Sequence, residues 1–335
     1  MKAVIYGRES LDVLEKKAIE YFAPIKNWDA PKLVYSEHPF EFPQYSEFWK
    51  VTPINEKDEL SFTWLLDNFL PDYKSNPAEY YSQLLGYEGK GSLRSLLFDE
   101  GLATGVHTGY YNELELFTVF TVTIVLTQKG LSNYSDVAGF VFKYIKMLKE
   151  KGPSETFFKD IQRKKQLEFE FLAKQKPYNF VMFAAGDMFK YPIEDILSYK
   201  YLFEEFQKDK LQKTIESFKL ENLRITLRSK TLQNECDLTL DYYGAKYTKG
   251  PIPENIAKLY ENPTTEPKVS KKTLDLPGKN PFLPDDLSVH TKNPQQLPDF
   301  PSKIYESPFI EFYFKQDNQF LFPKADLRLK LYTNR

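Results

Sequence analysis

This chain holds three histidines, one cysteine and no long apolar run, and each scarcity removes a class of function. His38, His107 and His290 stand far apart, so no H-E-x-x-H or H-x-x-E-H pair of zinc-binding imidazoles exists along its 335 residues. The lone Cys236 excludes an internal disulfide and fits a reducing compartment. Its neighbours Glu235 and Asp237 disfavour a reactive thiolate. The most apolar stretch, Leu114 to Leu126, is interrupted by threonines and too short to cross a bilayer. The opening residues lack the apolar core of a signal peptide. With 45 Lys+Arg against 47 Asp+Glu, no basic field draws the chain to nucleic acid or to an anionic membrane. These absences lead us to expect a soluble, cytoplasmic protein.

Two further absences concern loops. In Gly86-Tyr87-Glu88-Gly89-Lys90-Gly91-Ser92, Gly91 separates Lys90 from Ser92, so amine and hydroxyl cannot meet phosphate and magnesium as in a Walker loop. No second glycine follows Ser92 to make the elbow of a serine hydrolase.

What the chain does have is aromatic bulk, 28 Phe and 23 Tyr, which supplies large buried surfaces despite a hydrophobic content of only 41%. Ala3 to Tyr6 reads as a short strand, and Ser10 caps a helix with Leu11, Leu14, Ala18 and Phe22 on one stripe. Residues 59–65 alternate as a half-buried strand. Asn76-Pro77-Ala78-Glu79 begins a helix that runs into Gly86, Gly89 and Gly91. Ser92 restarts a short helix. The β-branched run 114–126 is expected as the central strand. Helices follow over 136–149, from Ser154, and from Pro192 toward Phe206, and then a strand over 223–228. Eleven of the 22 prolines fall in 251–308, which predicts an extended linker without helix or central strand. Phe309 to Phe314 and Asp326 to Tyr332 read as two closing strands.

The residues best placed for a site are backbone-rich. Gly86, Gly89, Gly91, Gly105 and Gly109 allow close approach to the main chain, and Glu88 offers a carboxylate for a peptide amino terminus. The same glycines also serve tight turns between helix and strand, and the residues alone leave both readings open.

Several motifs in order resemble the insulysin branch of the pitrilysin family of zinc metallopeptidases. They are Gly7-Arg8-Glu9-Ser10-Leu11-Asp12, Glu37-His38-Pro39-Phe40, Tyr73-Lys74-Ser75-Asn76-Pro77 and Gly86-Tyr87-Glu88-Gly89-Lys90-Gly91-Ser92-Leu93. Downstream follow Tyr201-Leu202-Phe203-Glu204-Glu205-Phe206, Tyr243-Gly244-Ala245-Lys246-Tyr247, Phe314-Lys315-Gln316-Asp317 and Leu321-Phe322-Pro323-Lys324-Ala325. The resemblance implies an α+β fold, a mainly antiparallel sheet covered on one face by helices, with partial flanking domains. It divides the chain into the end of a first domain (1–23), a connector (24–49), a complete second domain (50–260), a Pro-rich linker (261–305) and the start of a third domain (306–335). The chain is thus expected to begin and end partway through domains.

By the same resemblance, zinc belongs to an H-x-x-E-H segment of the full-length family that this chain does not carry, so no catalytic residue and no cofactor is expected here. Gly86, Glu88, Gly89, Val106, Thr108 and Gly109 match the family's exosite, where a peptide's amino terminus is anchored by strand addition. Gln83 and Tyr87 stand where histidines are usual, and Thr108-Gly109 replaces a glycine pair. The implied function is a non-catalytic, peptide-binding portion of a metalloendopeptidase family member, inactive alone. The alternatives are an incomplete piece of an active peptidase and a structural pseudopeptidase subunit. Expected partners are peptides or small proteins, and a complementary insulysin-like half or catalytic chain, with no nucleic acid or membrane.

Overall fold

The computed structural model describes residues 1–31, 33–34, 40, 45–54, 57–112, 115–289, 299–316 and 321–332. Two compact units divide it, residues 1–280 and 281–335. In the first unit the regular elements begin with helix α1 (Leu11–Phe22), strands β1 (Glu47–Val51) and β2 (Glu59–Leu66), and helices α2 (Pro77–Leu85) and α3 (Leu93–Asp99). Strands β3 (Ala103–Tyr111) and β4 (Thr118–Leu126) follow. Five helices come next: α4 (Gln128–Ser132), α5 (Tyr134–Lys151), α6 (Glu155–Glu170), α7 (Pro177–Asp187) and α8 (Lys208–Glu216). Strands β5 (Leu223–Arg228), β6 (Leu238–Thr239) and β7 (Lys246–Pro251) and helix α9 (Glu254–Glu261) complete the unit.

The seven strands form one sheet in the order β3-β4-β2-β5-β1-β7-β6, antiparallel throughout except for β1 beside β5. Period-2 alternation decides which side chains go inward. Leu60, Phe62, Trp64 and Leu66 of β2, Phe120, Val122 and Ile124 of β4, and Leu223, Ile225 and Leu227 of β5 meet the helices in one core. From the other side come Tyr80, Tyr81 and Leu84 of α2, Leu96 and Leu97 of α3, Phe140, Val141 and Tyr144 of α5, and Leu211 and Ile215 of α8. The opposite sheet face carries Thr121, Thr123, Ser61, Thr63 and Thr226. A small cluster of Tyr45, Leu65 and Phe117 packs at one end of that face. The fold is therefore the expected α+β sheet covered by helices on one side.

Several expectations change. Residues 3–6 form no strand, and α1 buries none of its stripe although Ser10 does cap it. A four-residue apolar run with no partner strand has nowhere to place its backbone hydrogen bonds. The run 118–126 is second from the edge, and β5 holds the centre, flanked by β2 and β1. Between Pro192 and Phe206 only two short 3-10 turns form, 193–195 and 199–201, and α7 is the helix before them.

The Pro-rich region contains α9, because residues 254–262 have no proline and put Ile256 into the core. Beyond α9 the chain is extended but docked. Leu274 and Leu276 pack against the core, and the Lys268 and Lys272 ammonium groups pair with Asp136 and Asp99. Gly139 of α5 admits this strap, since a Cβ there would collide with the Thr265 hydroxyl. In the second unit β8 (Ser302–Glu306) pairs with β9 (Glu311–Phe314), while residues 326–332 form no strand.

Candidate functional site

Helix α2 begins as the sequence predicts. The Asn76 side chain accepts from the Glu79 amide at 3.1 Å, and Pro77 occupies the first helical position. Glu79 does not reach back to the cap; its carboxylate takes the Lys165 ammonium at 2.8 Å and the Gln83 amide at 3.1 Å. At the other end, Gly86 closes the helix, its amide donating to the Ser82 carbonyl at 2.9 Å. The Thr108 hydroxyl donates to that same carbonyl at 2.9 Å and accepts from the Ser82 hydroxyl at 3.2 Å. Farther along β3, the Tyr110 hydroxyl accepts from the Asn76 amide at 3.0 Å. Two tethers thus fasten the helix-side face of β3 to α2.

β3 is the first strand of the sheet, bonded to β4 along one edge with no second strand on the other among the described residues. Thr108 pairs with Val122 and Gly109 with Thr121. A Cβ at Gly109 would meet nothing within 4 Å, so the main chain is open there. Val106 is buried in the core. Of the predicted site residues, then, Gly86 and Thr108 meet, Gly109 lies on the open edge strand, and Val106 contributes backbone alone.

Glu88 and Gly89 sit in the turn between α2 and α3. The Glu88 carboxylate is exposed and receives the Arg94 guanidinium at 2.7 Å, which in turn lies 4.5 Å over the Phe98 ring. That ion pair was not anticipated; an arginine in the first turn of a helix two residues after Ser92 was the available signal. At Gly89 a side chain would meet the Tyr87 hydroxyl. Gly91 is held at φ +83°, a conformation that favours glycine, and its carbonyl accepts from the Asp275 amide of the strap at 3.0 Å.

Among the described residues no three His, Cys, Asp or Glu side chains gather, and His107 stands exposed on β3 without another imidazole; His38 and His290 lie outside the described residues. Cys236 is buried, its sulfur 3.6 Å from the Lys50 carbonyl and the Thr52 hydroxyl, as befits an unreactive thiol.

A second polar cluster, which the sequence reading missed, lies on the open face of the sheet. Arg224 of β5 is sandwiched between Tyr45 and Trp49, its guanidinium 4.5 and 4.8 Å from their rings. Trp49 stacks on Tyr247 of β7 at 5.3 Å. Its indole N–H donates to Glu47 at 2.7 Å, and Glu47 also faces Lys249 at 3.3 Å and Arg224 at 3.5 Å. Only the pairing of β1 with both β5 and β7 brings these residues together, and local sequence carries no sign of it.

Comparison with known proteins matches the same architecture. Residues 1–165 fit the peptidase M16 inactive domain, and residues 169–335 fit the middle or third domain of peptidase M16. Insulin-degrading enzyme of Bos taurus is 31% identical over 99% of this chain and 32% of its own length, and human nardilysin is 29% identical over 99% and 29%. This chain therefore spans about a third of the length of those relatives. Crystalline pitrilysin superposes with a TM-score of 0.78 at 22% identity, over 92% of this chain and 32% of that one. The first half of the periplasmic protease PqqL from Escherichia coli superposes at 0.53 with 9% identity, over 78% and 55%. A sheet backed by helices on one face, with a fold matching pitrilysin and two M16 domains matching end to end, places this chain in the M16 peptidase family, on the branch that holds insulin-degrading enzyme.

Proposed function

We propose that this chain is a non-catalytic, peptide-binding portion of an M16 peptidase, in which an extended peptide adds as a strand to the free edge of β3. The observation that carries this reading is the position of β3 at the end of the sheet, with Gly109 open and the opposite face tethered to α2. Main-chain pairing supplies affinity in such a mode and needs no particular side chain on the peptide. Glu88 receives the peptide's amino terminus, in competition with Arg94. Zinc chemistry would have to come from an H-x-x-E-H segment absent from this sequence, so no cleavage is expected from this chain alone.

The test is binding of extended peptides N-methylated at alternate residues, followed by fluorescence anisotropy. Methylating the set whose amides face β3 should remove binding, while methylating the other set should preserve it. Equal binding by both sets would overturn strand addition.

A second reading, a half-assembly completed by a complementary insulysin-like half or a catalytic chain, is favoured by the apolar surface around α7. Tyr178, Met182, Phe183 and Phe189 are exposed there. In that reading the chain is a scaffold or a piece of an active peptidase.

A further inference from the structure

The Tyr45–Arg224–Trp49 cluster has more positive charge than its partners neutralise. Glu47 is the single carboxylate facing both Arg224 and Lys249 among the described residues. The Arg224 Nε is buried with no hydrogen-bond partner among them. A guanidinium held between two rings keeps its planar fork fixed and poorly hydrated, which suits it to a carboxylate. Lys249 is exposed, its ammonium 3.3 Å from the same Glu47 and 5.5 Å from the Trp49 ring centre.

The register connects this cluster to the peptide edge. One row across the open face runs Gly109, Thr121, Thr63, Arg224, Glu47, and the next runs His107, Thr123, Ser61, Thr226, Trp49, Lys249. The rows join the edge strand to the cations through hydroxyl side chains. A peptide paired outside β3 lies four strand spacings from β5, about 19 Å, which an extended chain covers in about six residues.

We propose that Arg224 and Lys249 form a subsite for a carboxylate of the peptide held on β3, about six residues beyond its paired segment. This rests on the strand-addition reading and adds a substrate class to it, peptides carrying an acidic side chain or a chain terminus at that distance. The Trp49–Tyr247 pair provides an apolar platform for the peptide beside that carboxylate.

The experiment compares peptides that share a β-forming first half and carry Glu or Gln about six residues beyond it, each with a free or amidated carboxyl terminus. Binding is measured on the chain and on Arg224→Gln and Lys249→Gln. The Glu peptide should bind about three- to tenfold tighter than the Gln peptide on the parent chain, the range of a half-exposed ion pair. That preference should vanish in either variant and weaken with salt, while the Gln peptide binds all three proteins alike. If the preference follows the free terminus instead of the Glu, the subsite reads chain ends. Lys249→Gln alters only an exposed side chain, so the test survives if Arg224→Gln does not fold. Equal affinity for Glu and Gln peptides, and for free and amidated termini, on the parent chain, with N-methyl sensitivity intact, would sink the subsite and leave strand addition standing. No binding by any peptide would remove both.

Discussion

At Gly86 the chain admits no side chain, and the reason is contact rather than backbone conformation. Its φ is −90°, available to any residue, but a Cβ would lie 2.6 Å from the Thr108 hydroxyl oxygen and 3.0 Å from the Ser82 carbonyl. Gly86→Ala should therefore push β3 off α2 and cost about 1–3 kcal/mol, the usual range for overpacking. Thermal melting would register this as a lowered Tm, and adding Thr108→Ala should recover part of the loss, because the two sites share one contact. Unchanged melting in the single variant would mean that the helix end and the strand are not in register as described. The same pair shows what a sequence reveals at this scale. That Gly86 is tightly placed was legible from the glycine-rich turn, but its partner lies 22 residues away on another element. Glu88 shows the reverse case, since a carboxylate that looked free is paired with Arg94.

Among the elements, the legible ones carried their own boundaries. Asn76-Pro77 capped α2, Ser92 capped α3 through the Ser95 amide at 3.0 Å, and Thr-Val alternation marked β4. β1, β6 and β7 were not read at all, because each is short and its pairing depends on strands remote in sequence. Proline density misled at 254–261, where α9 forms; it correctly removed helix from 263 onward among the described residues but said nothing about docking. The strap over 265–276 is held by Glu100, whose buried carboxylate accepts the Val269 amide at 2.8 Å and the Ser270 amide at 2.7 Å. Burial is the largest influence on this carboxyl and would raise its pKa. The Ser270, Val269 and Lys268 amides together outweigh it and hold the group below the usual carboxylate range. A lowered folded value means that the stabilisation is present above the unfolded pKa near 4.3 and disappears as pH falls through the folded one. Glu100→Gln should cost about 1–3 kcal/mol at neutral pH, because an amide can accept with only one of its polar ends where the carboxylate is charged. Hydrogen exchange at 268–272 should rise in this variant, and in the parent chain as pH drops below the unfolded carboxylate value after correction for intrinsic exchange. Protection that is the same in both proteins would show that Glu100 does not hold the strap.

The whole molecule exposes surface that a self-sufficient fold would cover. In α7 the apolar residues run around the helix, so burying Ala184 alone leaves Tyr178, Met182 and Phe183 in water. Beside it lies an apolar cavity of about 410 Å³ lined by Phe169, Leu172, Phe180, Phe183, Leu197 and Tyr199. A helix apolar on all sides belongs inside a larger structure. In the other unit every strand residue of the β8–β9 hairpin is exposed, and a two-stranded hairpin is marginal in water by itself. Exposed apolar patches of this kind mark contact surfaces or drive association. The chain on its own should therefore self-associate with rising concentration, seen by light scattering coupled to size exclusion, and should bind a hydrophobic dye in its folded state. A substitution that makes α7 polar on its outward side, Met182→Lys with Phe183→Glu, should restore a monomer while leaving the sheet core, and thus the melting transition of residues 45–260, nearly unchanged. A parent chain that stays monomeric and dye-silent at every concentration would contradict completion by a partner half. Peptide binding at β3 could still hold in that case, because the edge strand and α7 draw on different residues.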